Sequence, residues 1–371
     1  GIDLPPEVIQ TGIDSYVVHM DVGSQRLEYL HDEERIAALY RGNGPRGGEP
    51  AYARSFDRHL LDLAIGHGAR HVQRLVTGIG SVDGLPALEG ADGRLSRGYH
   101  LVAVAAGVNS KLVPILRRRP EPGTTRTYIC EFRIRDPEVR RALGNSMHVF
   151  LLDLPRLKFA ALVPKGDLVT MCMLGRKIDD ELIRAFLGSP EVQRCLPPHA
   201  VEMMCRCSPL INVTGARPPY ADRMVYVGDA GVTRLYKDGI GAAFRTAKAA
   251  AQTAVLLGVA EEDFQKHYLP ICQAIERDNR IGKALFAGSL IFKKLRFARR
   301  AVLAMTSREQ RRYSPHRPMS MVLWNLFTGS APYKAILGQT FRPSFSLGLA
   351  TQLLKLRVLG GRATPRPGEP A

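Results

Sequence analysis

The feature that most constrains this chain is a hand-over from strand to helix through glycines. Met224 to Val227 is a short apolar run ending in Gly228-Asp229-Ala230-Gly231. About ten residues later the chain reads Lys237-Asp238-Gly239-Ile240-Gly241-Ala242-Ala243 and enters an Ala-rich stretch. Glycine has no Cβ, so backbone can approach a ligand closely at these positions. A helix beginning at the second glycine pair offers free N–H groups and a partial positive charge to an anion or an electron-rich ring. Asp229 can accept a hydrogen bond from a ligand hydroxyl. The same residues also fit an ordinary strand, an Asp-Gly turn and an amphipathic helix that hold no ligand.

Two further segments carry the argument. Tyr99 to Ser110 (YHLVAVAAGVNS) is apolar throughout and ends in small residues, as a central parallel strand does. Arg54-Ser55-Phe56-Asp57-Arg58-His59-Leu60-Leu61 has the make-up of a capped helix start.

Residues 222–252 resemble the second FAD-binding motif of the hydroxybenzoate hydroxylase-like flavoproteins, and within that group the geranylgeranyl reductase branch. The resemblance gives Gly228 and Asp229 the flavin ribitol, and sets Gly239, Ile240 and Gly241 against the pyrimidine end of the isoalloxazine. Gly107 and Ser110 match the same family's Ala-Asp-Gly-x-x-Ser strand end near the cofactor pyrophosphate, with Ala106 in place of the Asp. Arg54 matches the Arg that lies over the FAD phosphates. Where the branch has Pro before a Gly-Glu-Gly-Ile turn, this chain has Leu235-Tyr236-Lys237-Asp238. Lys237 then stands either beside the flavin's N1 side or in solvent, and solvent is the expectation. Tyr236 and Lys237 are the catalytic candidates by position.

These flavoproteins open with a strand, a G-x-G-x-x-G turn and a helix. This chain opens Gly1-Ile2-Asp3-Leu4-Pro5-Pro6, and reads as a flavoprotein lacking that first unit. Gly42-x-Gly44-x-x-Gly47 fits the pattern, but no apolar strand feeds it and Pro45 lies inside it, so it reads as a loop.

The implied fold class is α/β. A Rossmann-like FAD-binding domain of the glutathione reductase/hydroxybenzoate hydroxylase type, incomplete at its N-terminus, spans 1–118 and 208–260. An antiparallel β-sheet substrate domain is inserted at 119–207, and a basic helical region follows at 261–371. The residues themselves support the insert. Thr125–Arg135 alternates like a strand, and 147–152, 159–164 and 168–174 read as three more. Lys165-Gly166-Asp167 makes a hairpin turn, and a capped helix begins at Asp179. The mostly aliphatic strands suit an apolar substrate.

The net charge of +17 is uneven. From Ile291 onward there are 15 Lys and Arg against Glu309 and Glu369, so most of the excess is C-terminal. In 290–303 apolar residues 291, 292, 295, 298 and 302 share one helical face, with Lys and Arg opposite; 341–359 is a second mixed apolar and basic stretch. The pattern suits an anionic membrane surface or a helix with a solvated basic face. Nucleic acid is disfavoured, because no aromatic platform or zinc-finger spacing accompanies the charge. No run is long enough for a membrane-spanning helix. Six irregularly spaced cysteines point to a reducing cytoplasm, with association at the inner face of the membrane the further expectation.

Cys195, His199, Cys205 and Cys207 form a metal-ligand set of poor spacing, so no metal is expected; scattered thiols are the simpler reading. The chain is thus expected to be an FAD-dependent oxidoreductase, with NAD(P)H as possible electron donor, that saturates a double bond of an isoprenoid or other lipid-like substrate. The alternatives are a flavin monooxygenase and a non-catalytic flavin-binding or membrane-associated protein.

Overall fold

A computed structural model of the chain describes residues 4–28, 36–42, 54–110, 122–311 and 317–359. Its centre is an eight-stranded sheet whose spine is Gly123–Ile134. Leu168–Gly175 pairs along one edge of the spine, followed outward by Leu157–Lys165, Ser146–Phe150, Ser15–Met20 and Gly23–Glu28. Val201–Cys207 and Leu210–Thr214 pair in succession along its other edge. All pairings are antiparallel except that of Ser15–Met20 with Ser146–Phe150. The sheet therefore reaches beyond 119–207. Its last hairpin, which turns at Asp21-Val22 into Gly23 with φ +137°, comes from near the N-terminus, far in sequence from the strand it joins.

Alternation along the strands splits the core in two. Tyr128, Cys130, Phe132 and Ile134 of the spine, with Phe150, Ala160 and Leu162, face Leu182, Ile183, Phe186 and Val192 of two short helices, Asp180–Leu187 and Pro190–Cys195. Asp179 caps the first of these through the Leu182 N–H at 3.1 Å. On the opposite face Tyr16, Val18, Met20, Val149 and Phe159 pack on the C-terminal helices, above all on Trp324, Phe327 and Met305. Trp324 meets Tyr16 edge-on at 5.2 Å.

A smaller sheet lies beside the large one. Val102–Val104 and Met224–Tyr226 pair in parallel, with Tyr220–Ala221 added at the edge. This pairing brings together the two strand ends singled out in the sequence. The Ala-rich helix Gly239–Leu256 packs behind them, and Tyr268 donates from its buried hydroxyl to the Tyr226 carbonyl at 2.5 Å.

The C-terminal region comprises the helices Leu269–Lys294, Arg296–Arg311, Pro318–Thr328, Tyr333–Thr340 and Pro343–Leu359. The single amphipathic helix expected over 290–303 is not formed, because the chain breaks at Leu295, whose backbone is extended. The basic face is also divided. Lys293 is buried and donates to the Leu157 carbonyl, while buried Arg299 donates to the Lys293 carbonyl and pairs with Asp21. A carbonyl freed at the break draws Arg299 inward, while Lys293 is held by a carbonyl at the start of strand Leu157–Lys165. Ile291, Phe292, Leu295 and Phe297 are left on the surface beside exposed Lys294, Arg296 and Arg300. Among the described residues no helix is long and apolar enough to cross a membrane.

Candidate functional site

Parallel pairing aligns the carboxyl ends of two strands, and in α/β sheets ligands bind outside such ends. The Val227 N–H donates to the Val104 carbonyl at 3.0 Å, so Ala105-Ala106-Gly107 and Gly228-Asp229 emerge side by side. Gly107 has φ +69° and open space around it. Ser110 follows, half-buried, in a loop tied down by Asn109, whose side chain exchanges two hydrogen bonds with the Leu210 backbone at 2.8 and 2.9 Å.

Gly228 has φ +59°, and a Cβ there would sit 3.2 Å from the Cβ of Ala243. The absence of a side chain lets the strand end approach helix Gly239–Leu256, where the Gly228 N–H reaches the buried Thr246 hydroxyl at 3.0 Å. Asn212 holds the next turn by donating to the carbonyls of Asp229 and Gly231 at 3.0 and 3.2 Å. The Asp229 side chain is half-buried, and no donor from the described residues reaches its carboxylate. Arg54 is exposed at the start of helix Phe56–Gly66, which Ser55 caps. The Gly44 and Gly47 positions lie outside the described residues.

The helix start differs from a bare anion cradle. Asp238, in left-handed backbone with φ +56°, caps it through the Gly241 N–H at 3.1 Å, and Arg245 pairs with the same carboxylate at 3.0 Å. Gly239 and Ile240 remain exposed. Beside them the buried Thr233 hydroxyl has no hydrogen-bond partner among the described residues.

The loop 232–238 joins this site to a second space. Lys237 does not project into solvent, as the sequence led one to expect. It is half-buried, with its ammonium 5.2 Å above the Phe159 ring, and burial pushes its pKa down to about 8. The sheet claims this side chain because Phe159 and Cys172 face the loop, a contact that a local reading cannot see. Tyr236, with φ +62°, accepts from the Lys158 ammonium at 2.7 Å and meets Phe286 edge-on at 5.0 Å. Lys158, Phe159 and Phe286 in turn line a cavity of about 460 Å³. Apolar side chains of the C-terminal helices, among them Leu285, Val322, Leu323 and Phe327, supply most of the rest of its wall. Tyr236 and Lys237 thus stand directly behind one end of an apolar chamber.

Sequence reading missed the residues that hold the loop. Asn279 accepts from the Leu235 N–H and donates to the Thr233 carbonyl, both at 2.8 Å. Arg234 is buried, donates to the carbonyls of Gly329 and Ala331, and lies 4.7 Å over the Tyr333 ring. An Arg among the mostly apolar residues Val232, Leu235 and Tyr236 was the available signal.

The metal set considered in the sequence is not assembled. His199 is exposed, and Cys205 and Cys207 lie on strand Val201–Cys207. Cys195 instead meets two residues that the sequence did not single out, His19 and His148.

These strand ends, glycines and roofing sheet identify the architecture. The chain has the fold of the hydroxybenzoate hydroxylase-like flavoproteins. A flavoprotein/dehydrogenase from Cytophaga hutchinsonii superposes with a TM-score of 0.59 at 15% identity, covering 94% of this chain and 83% of that one. A geranylgeranyl bacteriochlorophyll reductase-like protein from Thermoplasma acidophilum gives 0.55 at 14%, covering 96% and 85%. A flavin-dependent brominase gives 0.52 at 14%, covering 95% and 83%. No protein-family model and no curated protein sequence matches the chain.

The buried position of Lys237 has a measurable signature. Its folded pKa lies below the unfolded 10.5, so the penalty for burying the ammonium is complete below pH 8 and fades as pH rises from 8 to 10.5. Lys237→Met should therefore stabilise the protein by on the order of 1–2 kcal/mol at pH 7. Its advantage over the parent should shrink toward pH 10.5 in thermal unfolding. An advantage independent of pH would place the amine in water.

Proposed function

We propose that the chain is an FAD-dependent oxidoreductase that reduces a carbon–carbon double bond of an isoprenoid or other lipid-like substrate, with a reduced nicotinamide as electron donor. The observation that carries this reading is the loop 232–238. One flank of it, Asp229 with Gly239 to Gly241, borders the strand ends, and its Tyr236 and Lys237 back onto the apolar cavity. A redox group at the strand ends and an apolar substrate would share this one wall.

The residues suit FAD. The Asp229 carboxylate, free of protein donors among the described residues, would hold a ribitol hydroxyl. Gly107 and Ser110 would border the pyrophosphate, and Arg54 would add positive charge to the phosphate side. Gly239, Ile240 and the orphaned Thr233 hydroxyl would meet the ring's polar edge. FAD supplies hydride-equivalent, two-electron chemistry when bound. The chain's own part is to exclude water, orient the substrate and hold a proton. Tyr236, whose hydroxyl accepts from Lys158, is the group best placed to hold that proton at the cavity end. The likeness to the reductase-like and dehydrogenase structures supports reduction at the level of fold alone.

The chamber suits a lipid because its wall is almost wholly apolar. The surface near it has the matching character. Exposed Ile291, Phe292, Leu295 and Phe297, interleaved with Lys294, Arg296 and Arg300, form a corner suited to an anionic membrane, from which such a substrate would be drawn. Helix Pro343–Leu359 adds the exposed Leu347 and Leu354 beside Lys355.

Three outcomes are expected. Purified protein supplied with FAD should show a flavin absorption spectrum that bleaches with NADPH under anaerobic conditions, and Asp229→Ala should weaken FAD uptake by about tenfold or more, as loss of a hydrogen bond to a charged group implies. Failure to take up FAD at all would sink the reading. Gly288 lines the cavity and a Cβ there meets nothing within 4 Å, so Gly288→Phe should direct a ring into the chamber. This variant should keep FAD and its reduction while losing turnover of long isoprenoid alkenes, whereas Tyr236→Phe should lower turnover without altering uptake of either. Equal turnover in Gly288→Phe would move the substrate elsewhere. The protein should also sediment with vesicles of anionic phospholipid at low salt, and Phe292→Asp/Phe297→Asp should abolish this; a parent protein left in the supernatant would remove the membrane from the account.

A further inference from the structure

His19, His148 and Cys195 converge on the sheet face opposite the cavity. His19 lies on strand Ser15–Met20 and His148 on its parallel neighbour, in a register that puts both on one face. Cys195 is the last residue of helix Pro190–Cys195, which lies over that face. His19 Nε2 is 2.9 Å from His148 Nδ1, and the Cys195 Sγ is 3.7 and 3.6 Å from the same two atoms. Both imidazoles are buried.

The outer partners orient these atoms. The Leu143 carbonyl can only accept, so His148 donates to it from Nε2 at 3.2 Å and keeps a lone pair on Nδ1. His19 Nδ1 lies 2.8 Å from the Ser24 hydroxyl, which can accept its proton and leave a lone pair on Nε2. A ring N–H held by a carbonyl or hydroxyl is the arrangement that fixes a metal-ligating histidine. Burial holds both imidazoles in the neutral form that ligation requires, pushing His19 down to about 3 and His148 to about 4. The three separations leave a point about 2 Å from all three atoms, near the ~2.0–2.1 Å of metal–imidazole and ~2.3 Å of metal–thiolate bonds.

We propose that His19, His148 and Cys195 bind one soft transition-metal ion, copper(I) in preference to zinc(II). Two observations choose the metal. First, the group contains a single thiolate and no carboxylate, and of the cations nearby Arg194 is paired with Glu191 at 3.5 Å while Arg26 donates to Ser15 and Ser146. Copper(I) with one thiolate is uncharged overall; zinc(II) would leave a net positive charge in this partly desolvated setting. Second, three protein ligands satisfy trigonal copper(I), whereas a closed zinc site takes four, and the described residues offer no fourth. On binding, the Cys195 thiol loses its proton to solvent, a copper–sulfur bond forms, and the oxidation state of copper does not change. The half-buried sulfur gives the ion its way in.

The test is an anaerobic titration of the full chain with copper(I) in competition with a bicinchoninate chelator, repeated with zinc(II). The expected result is one copper(I) per chain, with nitrogen and sulfur neighbours in X-ray absorption. Affinity should fall by about 100-fold or more in Cys195→Ser and hold in Cys207→Ser, which alters an exposed thiol elsewhere. Because Cys195 is only half-buried, its serine variant should fold, as circular dichroism and thermal unfolding will check; if it does not, Ser24→Ala, which removes the outer partner of His19, should weaken copper binding by about tenfold. Zinc bound more tightly than copper at the same residues would overturn the choice of metal. No one-to-one binding, or binding unchanged in Cys195→Ser, would overturn the site and leave a hydrogen-bonded histidine pair.

Discussion

Asn279 sits within the long helix Leu269–Lys294 and uses both ends of its amide on a loop more than 40 residues earlier in the chain. Its carbonyl takes the Leu235 N–H and its amino group gives to the Thr233 carbonyl, so two backbone groups of a buried turn are satisfied at once. An unpaired buried donor or acceptor costs about 1–3 kcal/mol, which makes this exchange the condition for burying the loop at all. Arg234 and Tyr333 complete the hold. The guanidinium reaches the end of helix Pro318–Thr328, and the Tyr333 hydroxyl donates to the Leu235 carbonyl. Gly329, with φ +78°, lies where a Cβ would press on Lys237 and Asp238. The C-terminal helices are thus the back wall of the strand-end site as well as the roof of the apolar chamber.

That dependence explains how the chain divides its polarity. Two buried cations lie where a helix ends or breaks, because free carbonyls accumulate there. Arg234 serves the end of Pro318–Thr328 and Arg299 the break near Leu295, whereas Lys293 reaches from that break to the Leu157 carbonyl of the sheet. The apolar residues that an unbroken helix would have turned inward are exposed at the same corner. The break at Leu295 thus leaves a basic, aromatic surface beside the apolar chamber, with Phe292 belonging to both.

Local features were legible in the sequence. The apolar run into Gly228-Asp229, the Ala-rich helix after Gly239, the alternation of the spine, the hairpin turning at Lys165-Gly166-Asp167, and the cap at Asp179 all follow from neighbours within a few residues. What could not be read depends on distant contacts. Lys237 looked solvent-facing because Phe159 and Cys172 are far away in sequence. The hairpin 15–28 joins the sheet by parallel pairing with a strand more than 120 residues later. His19, His148 and Cys195 are separated by 129 and 47 residues and meet only once the sheet and its covering helix are formed. The cysteine cluster visible in one stretch of sequence does not come together, because strand Val201–Cys207 leads Cys205 and Cys207 away from Cys195.

Asp238 brings its own counter-charge to the helix start. It caps the helix, balances Arg245 and Arg234, and adopts a left-handed backbone that the surrounding contacts fix. The turn is therefore shaped by folding and not by the arrival of a ligand. A molecule settling against this turn finds it already formed, so the entropy of arranging this part of the receptor does not reduce its binding free energy. Association at such a preorganised edge is set by encounter and fit, and the bound molecule can leave and be replaced without unfolding the wall that held it.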